Sequence, residues 1–301
     1  MFIINHKKFF IGFSVFLVLA SVALITIFGL NLGIDFKGGS LTEVSYAGVR
    51  PDVTAIQEII EPLDLGEALI QPSGTDSFFI KTRYLSEAER VALLGSLSNN
   101  SIEQVTEKSF NSIGPSVGTE LKKKAIMSMI FVILAIITFI AFSFRGVSRP
   151  VSSWKYGLIA VVTLLHDIII PVGVFALLSH YSGAEVDTLF VVAILTVLGI
   201  SVADTIVVFD RVRENIKDNF APTFREIVGH SLTQVYQRSI NTSLTVIIVL
   251  LSLYFFGPSS TKNFALMLTA GMFFGTYSSI FLASPLLVWI EERQAKRALK
   301  K

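Results

Sequence analysis

Long apolar runs separated by short polar segments dominate the chain and predict a polytopic α-helical membrane protein. Each run reaches the roughly 20 residues that a helix needs to cross the hydrocarbon core of a bilayer. The runs are Phe9–Leu30, Ala125–Phe144, Tyr156–Leu178, Leu189–Phe209, Val235–Phe256 and Phe264–Ile290. We therefore expect six transmembrane helices. The first run is longer than the apolar stretch of about 7–15 residues in a signal peptide, so we expect it to be retained as a span.

The segment between the first two runs, from Asn31 to about Leu121, has the polarity of a soluble domain. In chain order its pattern predicts strand Ser40–Tyr46, helix Asp52–Ile60, strands Ala68–Ile70 and Phe78–Thr82, helix Ser86–Leu97 and strand Ile102–Phe110. Ser86 and Glu89 have the spacing of a capping box at the start of the second helix. The order βαββαβ is typical of a ferredoxin-like α+β domain, inserted here between transmembrane helices 1 and 2.

Basic residues near the span ends orient the chain, because short cytoplasmic loops carry an excess of Lys and Arg. The basic residues that we assign to the inner side are Arg145, Arg149, Lys155, Arg211, Arg213, Lys217, Arg225, Arg293, Lys296, Arg297, Lys300 and Lys301. Lys122–Lys124 lie on the outer side in this arrangement, but long translocated domains largely escape the rule. The prediction is a cytoplasmic N-terminus with helix 1 (residues 1–30), a periplasmic domain (31–121), helices 2–6 (122–291) and a basic cytoplasmic tail (292–301).

Between the fourth and fifth runs, apolar residues recur at helical spacing. They are Phe224, Ile227, Val228 and Val235. This pattern is typical of an amphipathic helix that lies on the inner membrane surface.

Composition agrees with a membrane protein and excludes several other classes. Hydrophobic residues make up 52% of the chain and charged residues only 16%, against about 25% charged residues in soluble domains. The chain has no cysteine, so disulfides and thiolate metal sites are excluded. Its basic residues cluster at span ends instead of forming an aromatic-interleaved patch, which argues against nucleic-acid binding.

A carboxylate, Asp204, lies inside the fourth apolar run and is the strongest candidate for a functional residue. It is followed by Thr205 and lies roughly 8 Å from the end of the run at Phe209. A charge at the centre of a membrane helix costs about 3 kcal/mol, so carboxylates there are rare and usually line a polar pathway. The alternative is a carboxylate that only holds helices together.

Two further groups of polar residues lie within predicted spans. His166 and Asp167 are close to the middle of the third span, where Thr163, Asp167 and Ile170 share one helix face. The pair has either a functional role or a structural one as a hydrogen bond between helices. In the fifth span a polar stripe must face protein or water; its members are Gln234, Arg238, Asn241, Thr242 and Thr245.

Glycine-rich segments permit sharp turns at both ends of the soluble domain. The first contains Gly33, Asp35, Gly38 and Gly39, and the second contains Gly114, Pro115 and Gly118. In the sixth span Gly271 and Gly275 form a small-xxx-small pattern that lets helices approach closely. Internal packing and a subunit interface explain that pattern equally well.

Taken together, these residues resemble the SecF family, the smaller membrane subunits of the bacterial SecDF accessory complex of the Sec translocon. The matching stretches are Gly33–Gly39, Gly114–Gly118, His166–Asp167, Asp204–Asn215, Arg238–Leu244 and Tyr277–Leu287. The resemblance implies a resistance-nodulation-division transporter half whose other six-helix half is SecD. One departure is Ala203, which stands where many members carry Asn before the membrane aspartate.

The resemblance also implies a function and partners. Asp204 would be the ion-carrying carboxylate, Arg238 its basic neighbour, and the ion either a proton or sodium, with no further cofactor. The complex would use the ion gradient to pull or release preproteins on the periplasmic side of the bacterial inner membrane. The expected partners are SecD, the SecYEG translocon with YajC, and preproteins driven by SecA.

Two other functions remain open from the residues themselves. Asp167 and Asp204 on neighbouring spans could belong to an intramembrane aspartyl protease, although Val202-Ala203 lacks the glycine expected beside such an aspartate. A half-transporter for small lipophilic molecules is the other alternative, which would normally have larger outer domains. We expect a transport subunit and not an enzyme.

Overall fold

The computed structural model describes residues 1–48, 50–99, 105–143 and 151–298. The chain forms two compact units, a small one of Leu32–Met127 and a helical one of Met1–Asn31 with Ser128–Lys301. Within the described residues, six helices are long and apolar enough to cross a membrane, which agrees with the six predicted spans.

The helices and strands are numbered here in chain order. The helices are α1 (Phe2–Asn5), α2 (Lys7–Phe28), α3 (Ile34–Lys37), α4 (Val53–Ile60), α5 (Glu87–Asn99), α6 (Pro115–Ser143), α7 (Ser153–Ser182), α8 (Thr188–Lys217), α9 (Phe224–Phe256), α10 (Lys262–Ser278) and α11 (Ser284–Ala298). The strands are β1 (Gly39–Tyr46), β2 (Leu69–Ser73), β3 (Ser77–Thr82) and β4 (Val105–Ile113). A five-residue π-helical segment, Ser279–Ala283, joins α10 to α11 without a break.

The small unit contains the six predicted elements in the predicted order. Its antiparallel sheet has the strand order β2-β3-β1-β4. Successive side chains of a strand point to opposite faces, so alternate residues of β1 and β3 enter the core. Val44, Phe78 and Ile80 lie there, fully buried against α4 and α5.

The two helices predicted in the small unit, α4 and α5, begin as the sequence predicts. Asp52 caps α4 by accepting a hydrogen bond from the backbone nitrogen of Val53 at 2.7 Å. At α5 the Glu89 carboxylate accepts from the backbone nitrogen of Ser86 at 2.8 Å, completing the capping box. Strand β4 ends at Ile113, three residues beyond the predicted end at Phe110, and residues 102–104 of the prediction lie outside the described residues.

In the helical unit α10 packs against α7, α8 and α9. Gly271 and Gly275 make the contact with α8 possible. A Cβ atom on Gly271 would lie 2.1 Å from the Cγ2 atom of Val197, and one on Gly275 would lie 3.2 Å from the Cβ atom of Ser201. The small-xxx-small pattern therefore serves internal packing, which decides between the two alternatives left open by the sequence.

The prediction of a separate surface helix before the fifth span is wrong. Residues 224–256 form the single continuous helix α9, and the four apolar residues Phe224, Ile227, Val228 and Val235 are buried in the protein. The reason is a packed and hydrogen-bonded contact with α8. The Asn215 side chain donates to Ser231 Oγ at 2.8 Å and to Gln234 Oε1 at 2.9 Å. An apolar face of this kind covers a neighbouring helix here instead of the membrane surface.

Candidate functional site

Asp204 lies on α8, where side chains from two other parts of the chain reach it. Its Oδ1 atom accepts a hydrogen bond from Ser239 Oγ of α9 at 2.6 Å. Its Oδ2 atom accepts one from Ser279 Oγ, the first residue of the π-helical segment. Asp204 itself is half-buried, whereas both serines are buried. Three helical segments thus converge on one carboxylate.

Asp167 forms a second cluster, on α7, and is completely buried. Its Oδ1 atom lies 2.8 Å from His166 Nδ1, and its Oδ2 atom accepts from Ser278 Oγ at 2.7 Å and from Ser201 Oγ. The imidazole of His166 stacks on the Tyr277 ring with 5.9 Å between centroids. His166 Nε2 is buried and has no hydrogen-bond partner among the described residues.

The junction between α10 and the π-helical segment links the two clusters. Ser278 contacts Asp167 and the next residue, Ser279, contacts Asp204. On α8, Ser201 and Asp204 are one helical turn apart; Ser201 belongs to the Asp167 cluster, and Asp204 is the centre of the other. Single-turn π-helices are often found at functional sites, because the extra residue changes which side chains face a given neighbour. The two carboxylates are therefore held by adjacent residues at the junction of α10 with the π-helical segment.

A narrow cleft lies beside Asp204. It has a volume of about 10 Å³, and its polar lining consists of Ser201, Asp204, Ser243 and Thr276. A cavity of roughly 10–15 Å³ with several polar partners is the minimum that holds one water molecule. Ser243 and Thr276 hydrogen-bond to each other across the contact between α9 and α10. The cleft is thus large enough for one small polar guest next to the carboxylate.

Arg238 is not paired with Asp204 in this structure. Its side chain is exposed, and it makes no ion pair with any acidic residue in the part of the chain that the structure describes. The residue of α9 that contacts Asp204 is its neighbour, Ser239. The predicted stripe is present as an exposed polar face of α9, formed by Gln234, Arg238, Asn241, Thr242 and Thr245. Thr205 is buried, and its hydroxyl has no hydrogen-bond partner among the described residues.

The serines that surround both carboxylates were not among the predicted site residues: Ser201, Ser239, Ser278 and Ser279. One weak signal was available, since Ser201 precedes Asp204 by three residues and shares its helix face. A second was the Ser278-Ser279 pair within an apolar run. Serine is common at helix contacts in membranes, so neither signal distinguishes a site from ordinary packing.

The two glycine-rich segments meet in the small unit. Gly38 has a φ of +80°, and a Cβ atom there would lie 2.8 Å from the Pro115 Cα atom. A Cβ atom on Gly118 would lie 2.8 Å from the backbone nitrogen of Gly38. Gly33 precedes α3, which contains Asp35, and Gly114 precedes α6. The segments form one close backbone contact, with Gly39 following at a φ of +138° where β1 begins.

Comparisons with known proteins give consistent matches. Residues 94–293 match the family described as protein export membrane protein SecD/SecF, C-terminal, and residues 23–47 match the SecD/SecF GG motif. The chain is 38% identical to protein translocase subunit SecF of Thermobaculum terrenum, over 99% of this chain and 96% of that protein. It is 34% identical to the subunit of the same name from Anaerolinea thermophila, over 95% and 93% of the two chains.

Two solved structures are similar as well. The crystal structure of SecDF, a translocon-associated membrane protein from Thermus thermophilus, superposes with a TM-score of 0.82 at 28% identity and 96% coverage of this chain. A SecDF structure in a super-membrane-facing form gives a TM-score of 0.70 at 29% identity. The chain spans 38% and 40% of the lengths of these two proteins.

Proposed function

The chain belongs to the SecD/SecF protein-export family, as an accessory subunit of Sec export, and we propose that it couples ion flow across the membrane to the movement of exported proteins. The observation that carries the proposal is the Asp204 site. A carboxylate within a membrane helix is costly, and residues of this kind usually mark a polar pathway. Here it is held by hydroxyls from two other helical segments and lies beside a cleft that admits one small guest.

The energy available from one ion is sufficient for a conformational switch. An ion that crosses a potential of about 180 mV releases roughly 4 kcal/mol. That amount biases a two-state equilibrium by nearly a thousandfold. Either a proton or sodium can supply it. Arg238 would act as the basic neighbour of Asp204. Its approach would favour the ionised carboxylate and so release of the ion, and its withdrawal would let Asp204 bind the next ion.

The partner of this chain is proposed to be SecD, the other half of a SecDF complex. The exposed polar stripe of α9 supports this, because Arg238, Asn241 and Thr245 require a protein or water neighbour within a membrane. The length of the solved SecDF chains, of which this chain spans 38% and 40%, leaves room for such a half. SecYEG, YajC and preproteins driven by SecA are the further partners of the proposed complex.

The chain is a multi-pass membrane protein, and we propose the bacterial inner membrane, with both termini cytoplasmic and the small unit periplasmic. The βαββαβ order and sheet order of that unit support a ferredoxin-like domain. Because the chain lacks cysteine, single exposed cysteines test the orientation. Ala55→Cys on α4 should react with an impermeant reagent from outside, and Asp218→Cys after α8 only from inside. The reverse result would invert the topology.

The central experiment replaces Asp204 with asparagine. Asp204→Asn should abolish ion-dependent export while leaving the amount of folded complex nearly unchanged, because the amide is close in shape and cheaper in the membrane. Asp218→Asn, at an exposed position just after the same helix and outside the stretch Asp204–Asn215, is the matched control and should export normally. Normal ion-coupled export by Asp204→Asn would refute the proposal.

The alternative of an intramembrane aspartyl protease gains no support from the geometry. Such an enzyme needs two carboxylates that act on one peptide bond. Asp167 is completely buried, and its two oxygens are bonded to His166, Ser201 and Ser278. The relatives named above are translocase subunits, a transport component instead of a catalytic one.

A further inference from the structure

The hydroxyl of Ser279 is within hydrogen-bond distance of two acceptors at once. One is Asp204 Oδ2, and the other is the backbone carbonyl of Thr276, one turn earlier on the same helix, at 3.0 Å. A serine hydroxyl has one hydrogen to donate and two lone pairs that accept. Ser279 therefore donates either to the carboxylate or to its own helix, with little movement of heavy atoms.

Ser239, on the opposite side of the carboxylate, differs in this respect. Its hydroxyl donates to Asp204 Oδ1 at 2.6 Å, and no second acceptor is within reach among the described residues. Ser239 thus remains a donor whether the carboxyl group is ionised or protonated. We therefore expect a proton on Asp204 to bind Oδ2, because the neighbouring Ser279 hydroxyl can donate to the Thr276 carbonyl instead.

We propose that Ser279 is a positioning residue for ion exchange at Asp204, acting as a hydroxyl rotor between the carboxylate and the Thr276 carbonyl. This inference rests on the proposed role of Asp204 as the ion carrier. With Asp204 ionised, Ser279 donates to Oδ2. When a proton binds Oδ2, the new O–H donates to Ser279 Oγ, and the Ser279 hydrogen turns to the Thr276 carbonyl. No polar atom loses its partner in either state.

The preceding residue repeats this arrangement at the other carboxylate. Ser278 Oγ donates to Asp167 Oδ2 at 2.7 Å and lies 3.0 Å from the Gly275 carbonyl. The site differs in one respect, because Ser201 donates to the same oxygen, Oδ2, and His166 occupies Oδ1, whereas Ser239 and Ser279 bond different oxygens of Asp204. Two hydroxyls with a choice of acceptors thus occupy consecutive residues, Ser278 at the end of α10 and Ser279 at the start of the π-helical segment.

The titratable and charged groups around this arrangement are few. His166 and Asp167 face it from α7, Tyr277 from α10 and Arg238 lies on α9. Within the described part of the chain, none of the four makes a hydrogen bond or an ion pair with Asp204. The serines are therefore the groups in contact that respond first when Asp204 gains or loses a proton.

The test is an infrared pH titration of the assembled complex in lipid. The C=O stretching band of the protonated Asp204 carboxyl group is assigned by its loss in Asp204→Asn, and its intensity is followed against pH. Ser279→Ala removes a charge-assisted hydrogen bond to the ionised carboxylate, which is roughly twice as strong as the neutral bond that Ser279 accepts from the protonated carboxyl group. We expect the midpoint to move up by about one pH unit, a tenfold rise in proton affinity or about 1.4 kcal/mol.

Two variants separate the rotor from general loosening of the helices. Ser279→Thr keeps a hydroxyl that can donate to either acceptor and should retain the wild-type midpoint. Ser252→Ala removes an exposed hydroxyl of α9 that bonds only its own helix, and should change nothing. A wild-type midpoint in Ser279→Ala, or a shift in Ser279→Thr as large as in the alanine variant, overturns the proposal.

The wild-type complex provides a second measurement that needs no serine variant to assemble. In the protonated state Ser239 donates to the carbonyl oxygen Oδ1 and Ser279 accepts from the O–H on Oδ2, so the Asp204 band should have the low frequency of a carboxyl group with two hydrogen bonds. A band at the frequency of a free carboxyl group, or of one with a single hydrogen bond, overturns the rotor. Export by Asp204→Asn at the wild-type rate refutes instead the proposed function, so the two failures are distinguishable.

Discussion

Replacing Gly118 with alanine tests whether the contact between the two glycine-rich segments contributes to stability. Gly118 lies in the first turns of α6, where alanine is preferred over glycine by up to about 1 kcal/mol on helix propensity alone. A Cβ atom there would meet three backbone atoms of the first segment: Gly38 N at 2.8 Å, Phe36 C at 3.3 Å and Asp35 O at 3.4 Å. Backbone atoms cannot rotate away, so the segments must separate.

The expected magnitude follows from these opposing effects. Overpacking a well-packed contact costs about 1–3 kcal/mol, against a gain of at most about 1 kcal/mol from propensity. Gly118→Ala should therefore lower the stability of the small unit by up to about 2 kcal/mol. Gly95→Ala is the matched control, because Gly95 is also helical and a Cβ atom there would meet nothing within 4 Å. It should raise stability by about 0.5–1 kcal/mol.

Hydrogen exchange of the full-length protein in lipid measures this difference. Slowly exchanging amides of β1 and β4 report the free energy of opening of the sheet next to the contact. The two variants should move that free energy in opposite directions. If Gly118→Ala stabilised the sheet as much as Gly95→Ala does, a Cβ atom at Gly118 would have no overpacking cost, and the close contact would not require glycine.

Three further predictions concern separate parts of the chain. Arg83 donates a hydrogen bond to Glu89, and this bond together with the capping contacts to Ser86 lowers the pKa of Glu89 to about 2. The ionised Glu89 side chain therefore stabilises the fold fully above its ordinary pKa of 4.5, and this stabilisation is lost as the pH falls toward 2. The free energies of unfolding of Glu89→Gln and wild type should differ at pH 7 and converge at pH 2. Phe78→Ala should cost the small unit about 3–5 kcal/mol in chemical unfolding, since Phe78 is fully buried. In export assays Arg238→Lys should keep partial activity and Arg238→Ala should lose it, because lysine keeps the charge without the guanidinium fork.

The parts of the fold that the sequence predicts are those governed by local periodicity. Membrane spans follow from the length of apolar runs, and strand β1 follows from the alternation of Val44 and Tyr46 with Glu43 and Ser45. Helix starts at Asp52 and Ser86 follow from capping chemistry that involves only the next few residues. In each case the physical cause lies within one helical turn or one strand.

The parts that could not be predicted depend on contacts between distant residues. Ser239 and Ser279 are 35 and 75 residues away from Asp204 along the chain. Nothing in their own neighbourhood marks them apart from other serines in membrane helices. The continuous helix α9 was missed for a related reason. An apolar stripe such as that of Ile227 and Val228 has the same pattern whether a membrane surface or another helix covers it.

The contrast between Ser239 and Arg238 explains how neighbouring positions of α9 can serve different steps at one carboxylate. A guanidinium group donates only and is always charged, so its approach stabilises the ionised form of Asp204 alone. A hydroxyl is neutral and both donates and accepts, so Ser239 and Ser279 remain bonded in both states of the carboxyl group. An ion carrier needs both properties, because it must hold its ion without strain and also give it up. On the proposed role of Asp204 as the ion carrier, the serines would meet the first requirement and Arg238 the second, since its side chain is exposed and makes no ion pair with Asp204 in this structure.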